Sequence, residues 1–218
     1  MSARRAVLAD LDGVLLDSAA AVRTSLAATA TCATGRRISP VDLPPDVLTR
    51  PRVEVLAELG VTNPDQALDC WWDGALAAAP SALFPGIAAG LRALRETGAA
   101  LAVVTLQHRD RLPWLLPPDL RDLLDAVVTP QHAAPKPSPD GPLAALEVLG
   151  VRREHALLLG DAPTDIAAAL AAGILPIAAA WGWYPPEALL AAGAHHVLDD
   201  PRALGPRLLD RLDPMTGG

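Results

Sequence analysis

The chain of 218 residues is predicted to adopt an α/β fold: a Rossmann-like parallel sheet with helices on both faces, plus an inserted all-helical domain. Short apolar runs typical of buried strands alternate with amphipathic helical stretches, and one long interval shows helical patterns without a strand. The strand-like runs cover residues 6–9, 100–104, 126–128, 156–159 and 174–177.

Helices are predicted between most of these strands. Residues 87–97 and 142–149 each carry an apolar face and are followed by a glycine, which readily ends a helix. When strands and helices alternate, successive strands run parallel and the connecting helices cover the sheet. Residues 1–14 and 84–218 are therefore predicted to form one core domain.

The interval between the first two strands is the exception. It contains helical patterns separated by glycine, proline and polar turn residues. The predicted helices cover residues 19–33, 41–48, 52–59 and 64–79. Residues 15–83 are thus predicted to be an inserted helical domain.

Composition argues against several classes of function. A net charge of -7 disfavours a nucleic-acid-binding protein, which would carry a basic surface. Cys32 and Cys70 lack the spacing of a zinc site or a disulfide framework, which fits a reducing cytoplasm. The uncharged run at residues 166–186 is interrupted by glycine and proline, so it predicts a buried helix and strand and no membrane span.

Two carboxylates follow the first predicted strand, in Asp10-Leu11-Asp12-Gly13. Side chains two residues apart on an extended chain share a face, and Gly13 allows a sharp turn. Ligands of open parallel sheets bind beyond the carboxyl ends of the strands, which makes this a candidate site. An ordinary strand-end turn is the structural alternative, since Asp and Gly are common in turns.

Polar residues also follow two other predicted strands. Thr105 follows residues 100–104, and Asp161 follows Gly160, with Asp165 in the first turn of the next helix. We expect these side chains at the same edge of the sheet as Asp10. Helix capping is the structural alternative.

Lys136 is the only lysine of the chain, whereas the other seventeen of the eighteen basic residues are arginine. Lysine is a compact charge on a flexible stem, and arginine is a planar fork. Its retention indicates a geometric demand, such as a single phosphate or carboxylate oxygen. Chance survival of one surface lysine is the alternative.

These residues together resemble the four motifs of the haloacid dehalogenase superfamily of phosphohydrolases, in order and in placement at strand ends. The motifs are Asp10-x-Asp12, Thr105, Lys136 and Gly160-Asp161-x-x-x-Asp165. Further segments are similar to the phosphoglycolate phosphatase-like branch: Phe84-Pro85-Gly86, Lys136-Pro137-x-Pro139-Asp140, Trp181-Gly182 and Gly193-Ala194. The resemblance implies that residues 15–83 are the helical cap of that superfamily.

The resemblance implies hydrolysis of a small phosphorylated metabolite. Asp10 would be the nucleophile that forms an aspartyl-phosphate, and Asp12 would be the general acid and base. The Thr105 hydroxyl and the Lys136 ammonium would hold the phosphoryl oxygens and balance their charge.

A magnesium ion is also implied, because Mg²⁺ prefers oxygen ligands with a few carboxylates among them. Asp10, the backbone carbonyl of Asp12, Asp161 and Asp165 would supply these ligands. Ala162 departs from the serine that many relatives have after the first aspartate of this motif.

Substrate-binding residues are expected in two places. Gly13, Leu106 and Gln107 lie beside the motif residues, although Leu106 departs from the usual asparagine or serine and leaves only its backbone N–H for phosphate. In the cap, Arg50 and Arg52 could grip a carboxylate or a second phosphate. Solvated surface arginines are the alternative for this pair.

The resemblance also disfavours several related reactions of this superfamily. Asp12 disfavours a dehalogenase, the absence of lysine from residues 15–83 argues against Schiff-base chemistry, and residues 17–22 lack the histidine and lysine expected of a phosphomutase. Hydrolysis of phosphoglycolate or a sugar phosphate is the prediction. A non-enzymatic regulatory or binding protein that retains the site is the alternative, with a phosphomutase as a more remote one. The sequence carries no signal for an oligomeric state.

Overall fold

A computed structural model describes residues 4–212 of the chain. The chain divides into two compact units. The core unit contains the chain up to Leu16 and again from Leu83 onward, and the helical unit contains Asp17–Ala82.

Strands and helices alternate through most of the core unit, whereas the helical unit is mainly helical. The strands are β1 Ala6–Ala9, β2 Leu16–Asp17, β3 Ala82–Leu83, β4 Ala100–Val104, β5 Ala126–Val128, β6 Ala156–Gly160, β7 Leu175–Ala179 and β8 His196–Leu198. The α-helices are α1 Ala19–Thr34, α2 Arg52–Glu58, α3 Pro64–Ala67, α4 Asp73–Ala78, α5 Ile87–Glu96, α6 Leu112–Leu115, α7 Pro118–Arg121, α8 Asp140–Leu149, α9 Pro163–Ala172 and α10 Pro186–Ala191. Short 3₁₀ segments are Pro40–Asp42, Arg109–Arg111, Arg153–His155, Pro201–Ala203 and Pro206–Leu212.

The core unit is built on a six-stranded parallel sheet with the strand order β5-β4-β1-β6-β7-β8. The chain therefore winds outward from β1 to one side and then returns to the other side of β1. Crevices at such a reversal of strand order are where open α/β sheets bind ligands, beyond the carboxyl ends of the strands. The predicted α/β class with a parallel sheet is confirmed.

Alternate residues of the strands pack on opposite faces of the sheet, as the period of two requires. Val7 and its neighbours in the central strands contact α5 and the C-terminal 3₁₀ segments, in a cluster that includes Leu91 and Leu208. On the other face Leu8 belongs to a cluster with residues of α8 and α9, such as Leu146. Because both faces are covered, the central strands read as continuous apolar runs.

The helical unit begins with α1, which ends at Gly35 in the left-handed conformation. The predicted helix at residues 41–48 is wrong. Only Pro40–Asp42 forms a 3₁₀ turn there, because Pro44 and Pro45 donate no backbone hydrogen bond and disfavour a helix before them. Arg23 of α1 binds this segment instead, with its guanidinium donating to the carbonyls of Pro40, Leu43 and Pro44 at 3.1–3.2 Å.

The remaining helices of this unit follow the predicted order. The predicted helix at residues 64–79 is present as α3 and α4 joined by a π-helical turn at Leu68–Trp72. Trp72 of this turn is buried, and Trp71 is exposed. Among residues 4–212, none of the helices is long and apolar enough to span a bilayer.

Candidate active site

Asp10 leaves the sheet at the carboxyl end of β1. Its N–H still bonds to the carbonyl of Leu159 at 2.9 Å, so its backbone continues the line of the strand. The chain then turns at Gly13, which has a φ of 78° and whose N–H bonds to the carbonyl of Leu16 at 2.9 Å. Only glycine adopts this left-handed conformation without strain.

Lys136 lies between two carboxylates at this edge of the sheet. Its Nζ is 2.8 Å from Oδ1 of Asp10 and forms a second ion pair with Oδ1 of Asp165. The side chains of Lys136 and Asp165 are 3% and 1% exposed, and that of Asp10 is 14% exposed. A lysine ammonium can serve two separate oxygens in this way because its donors surround a single point charge.

Asp161 and Asp165 are placed by β6 and the start of α9. Oδ2 of Asp165 accepts a hydrogen bond from the N–H of Ala162 at 3.0 Å, so one oxygen ties the helix terminus while the other faces Lys136. Oδ2 of Asp161 accepts from the N–H of Trp183 at 2.7 Å. The capping expected as an alternative for Asp165 is thus present together with the ion pair.

Close packing by glycine leaves room for the Asp161 carboxylate. A Cβ at Gly182 or at Gly13 would overlap the side chain of Asp161. The same carboxylate is therefore in close contact with two backbone segments, the loop after β7 and the turn after β1. Neither position accepts a larger residue without displacing it.

Three carboxylates converge at this edge. Oxygens of Asp10, Asp161 and Asp165 lie within 4.8 Å of one another. Burial raises the pKa of Asp10 to about 7 against the opposing effect of the Lys136 ammonium, and the Asp165 carboxylate adds to the rise. Burial likewise raises the pKa of Asp161 well above its usual value, and the Asp10 and Asp165 carboxylates contribute.

The neighbouring carboxylates stabilise the charged form of Lys136. Burial alone would lower the pKa of Lys136, but the carboxylates of Asp10 and Asp165 outweigh it and raise the pKa above its usual value. Lys136 is therefore an ammonium at neutral pH. One ammonium does not balance three carboxylates, so the site favours a further positive charge.

Thr105 and Gln107 stand at the end of β4. The Thr105 hydroxyl is buried and accepts a hydrogen bond from the N–H of Gln107 at 3.0 Å, and Thr105 and Lys136 line one small cavity. Leu106 between them turns outward and is 52% exposed. The Gln107 side chain points inward and donates from Nε2 to Oδ2 of Asp12 at 2.7 Å.

The two arginines predicted to bind substrate have partners within the helical unit. Arg50 forms a two-armed ion pair with Glu58, with one arm at 2.9 Å, and lies 3.8 Å from Asp46. The guanidinium of Arg52 lies 4.3 Å from the centre of the Trp72 ring. A substrate role for Arg50 or Arg52 stays a prediction, and for Arg50 it requires release from Glu58.

Sequence reasoning missed two contributors to the site. The backbone N–H of Trp183 binds Asp161, and the guanidinium of Arg111 donates to Oε1 of Gln107 at 3.1 Å. A backbone donor leaves no mark on the residue type at its position. Arg111 lies in the 3₁₀ segment Arg109–Arg111 together with a second arginine, and its residue type alone does not indicate a role in the site.

Comparison with known proteins agrees with this arrangement. A model of the haloacid dehalogenase-like hydrolase family matches residues 4–173. The plasmid-encoded phosphoglycolate phosphatase of Cupriavidus necator is 38% identical over 136 residues, which cover 61% of this chain and 58% of that protein. The phosphoglycolate phosphatase of Pseudomonas putida is 29% identical over 238 residues, which cover 98% of this chain and 82% of that protein.

A solved structure shares the fold as well. CbbY from Rhodobacter sphaeroides in complex with phosphate matches with a TM-score of 0.76 and 25% identity, over 95% of this chain and 99% of that one. The chain spans little more than half the length of the first two curated relatives, 58% and 53%. The family match itself extends over most of the chain, from β1 through α9. The chain belongs to the haloacid dehalogenase-like hydrolase family.

Proposed function

We propose that this chain is a Mg²⁺-dependent phosphatase that hydrolyses a small phosphomonoester through a phosphorylated Asp10. The observation that carries the proposal is the buried Lys136 ammonium in contact with Asp10, beside the carboxylates of Asp161 and Asp165. A carboxylate attacks an anionic phosphate only where cations screen their repulsion. The relatives named as phosphoglycolate phosphatases support the same reaction class.

The residues present fit a magnesium ion. Asp10, Asp161 and Asp165 offer hard oxygen donors close together, and their charge exceeds that of the single ammonium beside them. These three side chains and the backbone carbonyl of Asp12 would hold the ion. When bound, Mg²⁺ supplies charge that neutralises the phosphate and draws it toward the nucleophile.

Asp10 and Asp12 then carry out the bond changes. A carboxylate oxygen of Asp10 bonds to phosphorus as the bond from phosphorus to the ester oxygen breaks, and Asp12 gives that oxygen its proton. Asp12 next takes a proton from water, whose oxygen attacks phosphorus and releases Asp10. Inorganic phosphate leaves, and both carboxyl groups return to their first state.

Lys136 and Thr105 position the groups that react. The Lys136 ammonium orients Asp10, and its charge stabilises the phosphoryl oxygens during transfer to Asp10 and then to water. The Thr105 hydroxyl accepts its hydrogen bond from Gln107, which leaves its own proton to donate to a phosphoryl oxygen. Both groups are buried, so their electrostatic effect is weakly screened.

The test is a phosphatase screen with the full chain. The panel contains 2-phosphoglycolate, sugar phosphates and p-nitrophenyl phosphate, each with Mg²⁺ and with EDTA. We expect phosphate release that requires Mg²⁺ and falls to background in Asp10→Asn. Asp69→Asn, an exposed aspartate of the helical unit, is the matched control and should keep wild-type activity.

Two results would refute the proposal. Turnover in EDTA, or full activity in Asp10→Asn, would rule out the mechanism. Saturable binding of a panel compound without any phosphate release would support the alternative of a binding protein that retains the site.

A further inference from the structure

The Gln107 side chain is buried between Asp12 and Arg111 in the core unit. Gln107 is 3% exposed. Its Nε2 donates to Oδ2 of Asp12 at 2.7 Å, and its Oε1 accepts from Nη1 of Arg111 at 3.1 Å. Its backbone N–H separately donates to the Thr105 hydroxyl at 3.0 Å.

The chemistry of the partners determines which end of the amide faces which residue. A guanidinium has only donors, so the group that faces Arg111 must be the amide oxygen. The NH₂ group must then face Asp12. Arg111 therefore prevents the amide from flipping, and Gln107 offers Asp12 a donor and never an acceptor.

This contact makes the two oxygens of Asp12 unequal. An NH₂ group cannot accept a proton from the carboxyl, so Oδ2 serves as an acceptor. A proton on Asp12 is then favoured on Oδ1, because a protonated oxygen is the poorer acceptor. The hydrogen bond also limits rotation of the carboxyl group. A general acid must hold its proton within hydrogen-bond reach of the ester oxygen, which makes such orientation valuable.

We propose that Gln107 is a positioning residue for Asp12, which fixes the carboxyl so that Oδ1 gives and takes the proton. The inference rests on the proposed phosphatase function, in which Asp12 is the general acid and base. It replaces the direct contact with substrate that the sequence suggested for Gln107. The residue acts through Asp12 and needs no contact with the phosphate.

The dependence of kcat/KM on the leaving group distinguishes a residue that positions Asp12 from one that contacts the phosphate. An alkyl ester needs a proton on its departing oxygen, whereas p-nitrophenolate departs without one. kcat/KM covers steps only up to departure of the alcohol or phenol, so it reports the acid role of Asp12 alone. A residue that positions Asp12 therefore matters for the alkyl ester and little for the aryl ester.

The experiment compares kcat/KM of wild type and Gln107→Met for both esters. The alkyl ester is the best alkyl phosphate found for the wild type in the screen. General acid catalysis contributes about 10²–10⁴-fold, so a misplaced acid should lower kcat/KM for the alkyl ester by about 10–100-fold. The value for p-nitrophenyl phosphate should change by less than about threefold.

Two further variants control for misfolding and for a general effect of losing an amide near the site. Gln107→Glu keeps the shape and the acceptor for Arg111 but loses the donor to Asp12. It should therefore show the same selective loss of kcat/KM for the alkyl ester. If Gln107→Met fails to fold, Gln107→Glu provides the test. Gln131→Met removes an exposed amide that bonds to Thr129 and to the N–H of Arg109, and should leave both esters unaffected. Calorimetric affinity for inorganic phosphate should be the same in wild type, Gln107→Met and Gln131→Met, because the amide does not hold phosphate.

Other outcomes overturn the inference. An equal loss for both esters, or weaker phosphate binding, in Gln107→Met would return Gln107 to substrate binding or to a structural role. An unchanged alkyl ester in Gln107→Glu would show that Asp12 needs no such support. Each of these results would refute the role of Gln107 and leave the phosphatase function intact. A wild type without any phosphate release would refute the proposed function and the inference together.

Discussion

Replacing Lys136 with Met would leave Asp10 and Asp165 buried beside each other without their shared ammonium. The attraction across the 2.8 Å contact with Asp10 is about 6 kcal/mol at an effective dielectric constant of about 20. Desolvation of the buried groups offsets much of this gain, and removal of one partner of a buried pair costs about 3–5 kcal/mol. We therefore expect Lys136→Met to lower the free energy of unfolding at pH 7 by about 3–5 kcal/mol.

Urea unfolding in EDTA, followed by circular dichroism, measures this loss. Lys136→Arg is the companion variant: it keeps a charge for the carboxylates and should stay folded, but its planar fork cannot occupy the place of the ammonium, so most turnover should be lost. A loss of stability below about 1 kcal/mol for Lys136→Met would refute the electrostatic reasoning, because that is the range of a surface pair. Near wild-type activity of Lys136→Arg would refute the geometric part.

Three further predictions concern the carboxylates. In EDTA, the raised pKa of Asp10, about 7 against its usual 3.8, means that the folded protein retains a proton that the unfolded chain has lost. The stability contributed by Asp10 is then full below about pH 4 and is lost as the pH rises to 7, so the difference in unfolding free energy between wild type and Asp10→Asn should fall by up to about 4 kcal/mol across this window; a flat difference would contradict the pKa. Mg²⁺ at about 100 times its Kd should raise the unfolding free energy by about 2.7 kcal/mol in a urea titration, and Asp161→Asn should remove the gain; a wild type that Mg²⁺ does not stabilise would argue against the metal site. Gly182→Ala places a methyl group against Asp161 and should cost about 1–3 kcal/mol of stability and weaken Mg²⁺ binding measured by calorimetry, whereas a variant with unchanged affinity would mean that the loop moves aside freely.

Much of the fold could be predicted from local patterns. The five apolar runs of the sequence all correspond to strands, although β7 begins and ends later than residues 174–177, and β2, β3 and β8 are not among them. Buried parallel strands are short and uniformly apolar, so each is visible without its neighbours. The prediction of a helix at residues 41–48 is wrong because two consecutive prolines interrupt its apolar pattern.

The candidate site was predictable in its residue types but not in its contacts. Asp10, Lys136 and Asp165 are visible as candidates because a strand end, a lone lysine and a helix start can each be recognised in the sequence. Asp12, which accepts from the Gln107 side chain, lies 95 positions away from it, and the backbone donor to Asp161 lies 22 positions away. No periodicity connects such pairs, since their distance depends on the order of the strands in the sheet.

The sequence by itself determined the class of fold, the strand ends that carry polar groups, and the family, because these follow from short-range periodicity and from motif order. Only the tertiary structure decided that one lysine serves two carboxylates, that Gln107 is turned toward Asp12, and that Arg50 is paired with Glu58. The physical reason is that a side chain with several donors or acceptors has many potential partners along the chain. Burial and the winding of the sheet around β1 select among them.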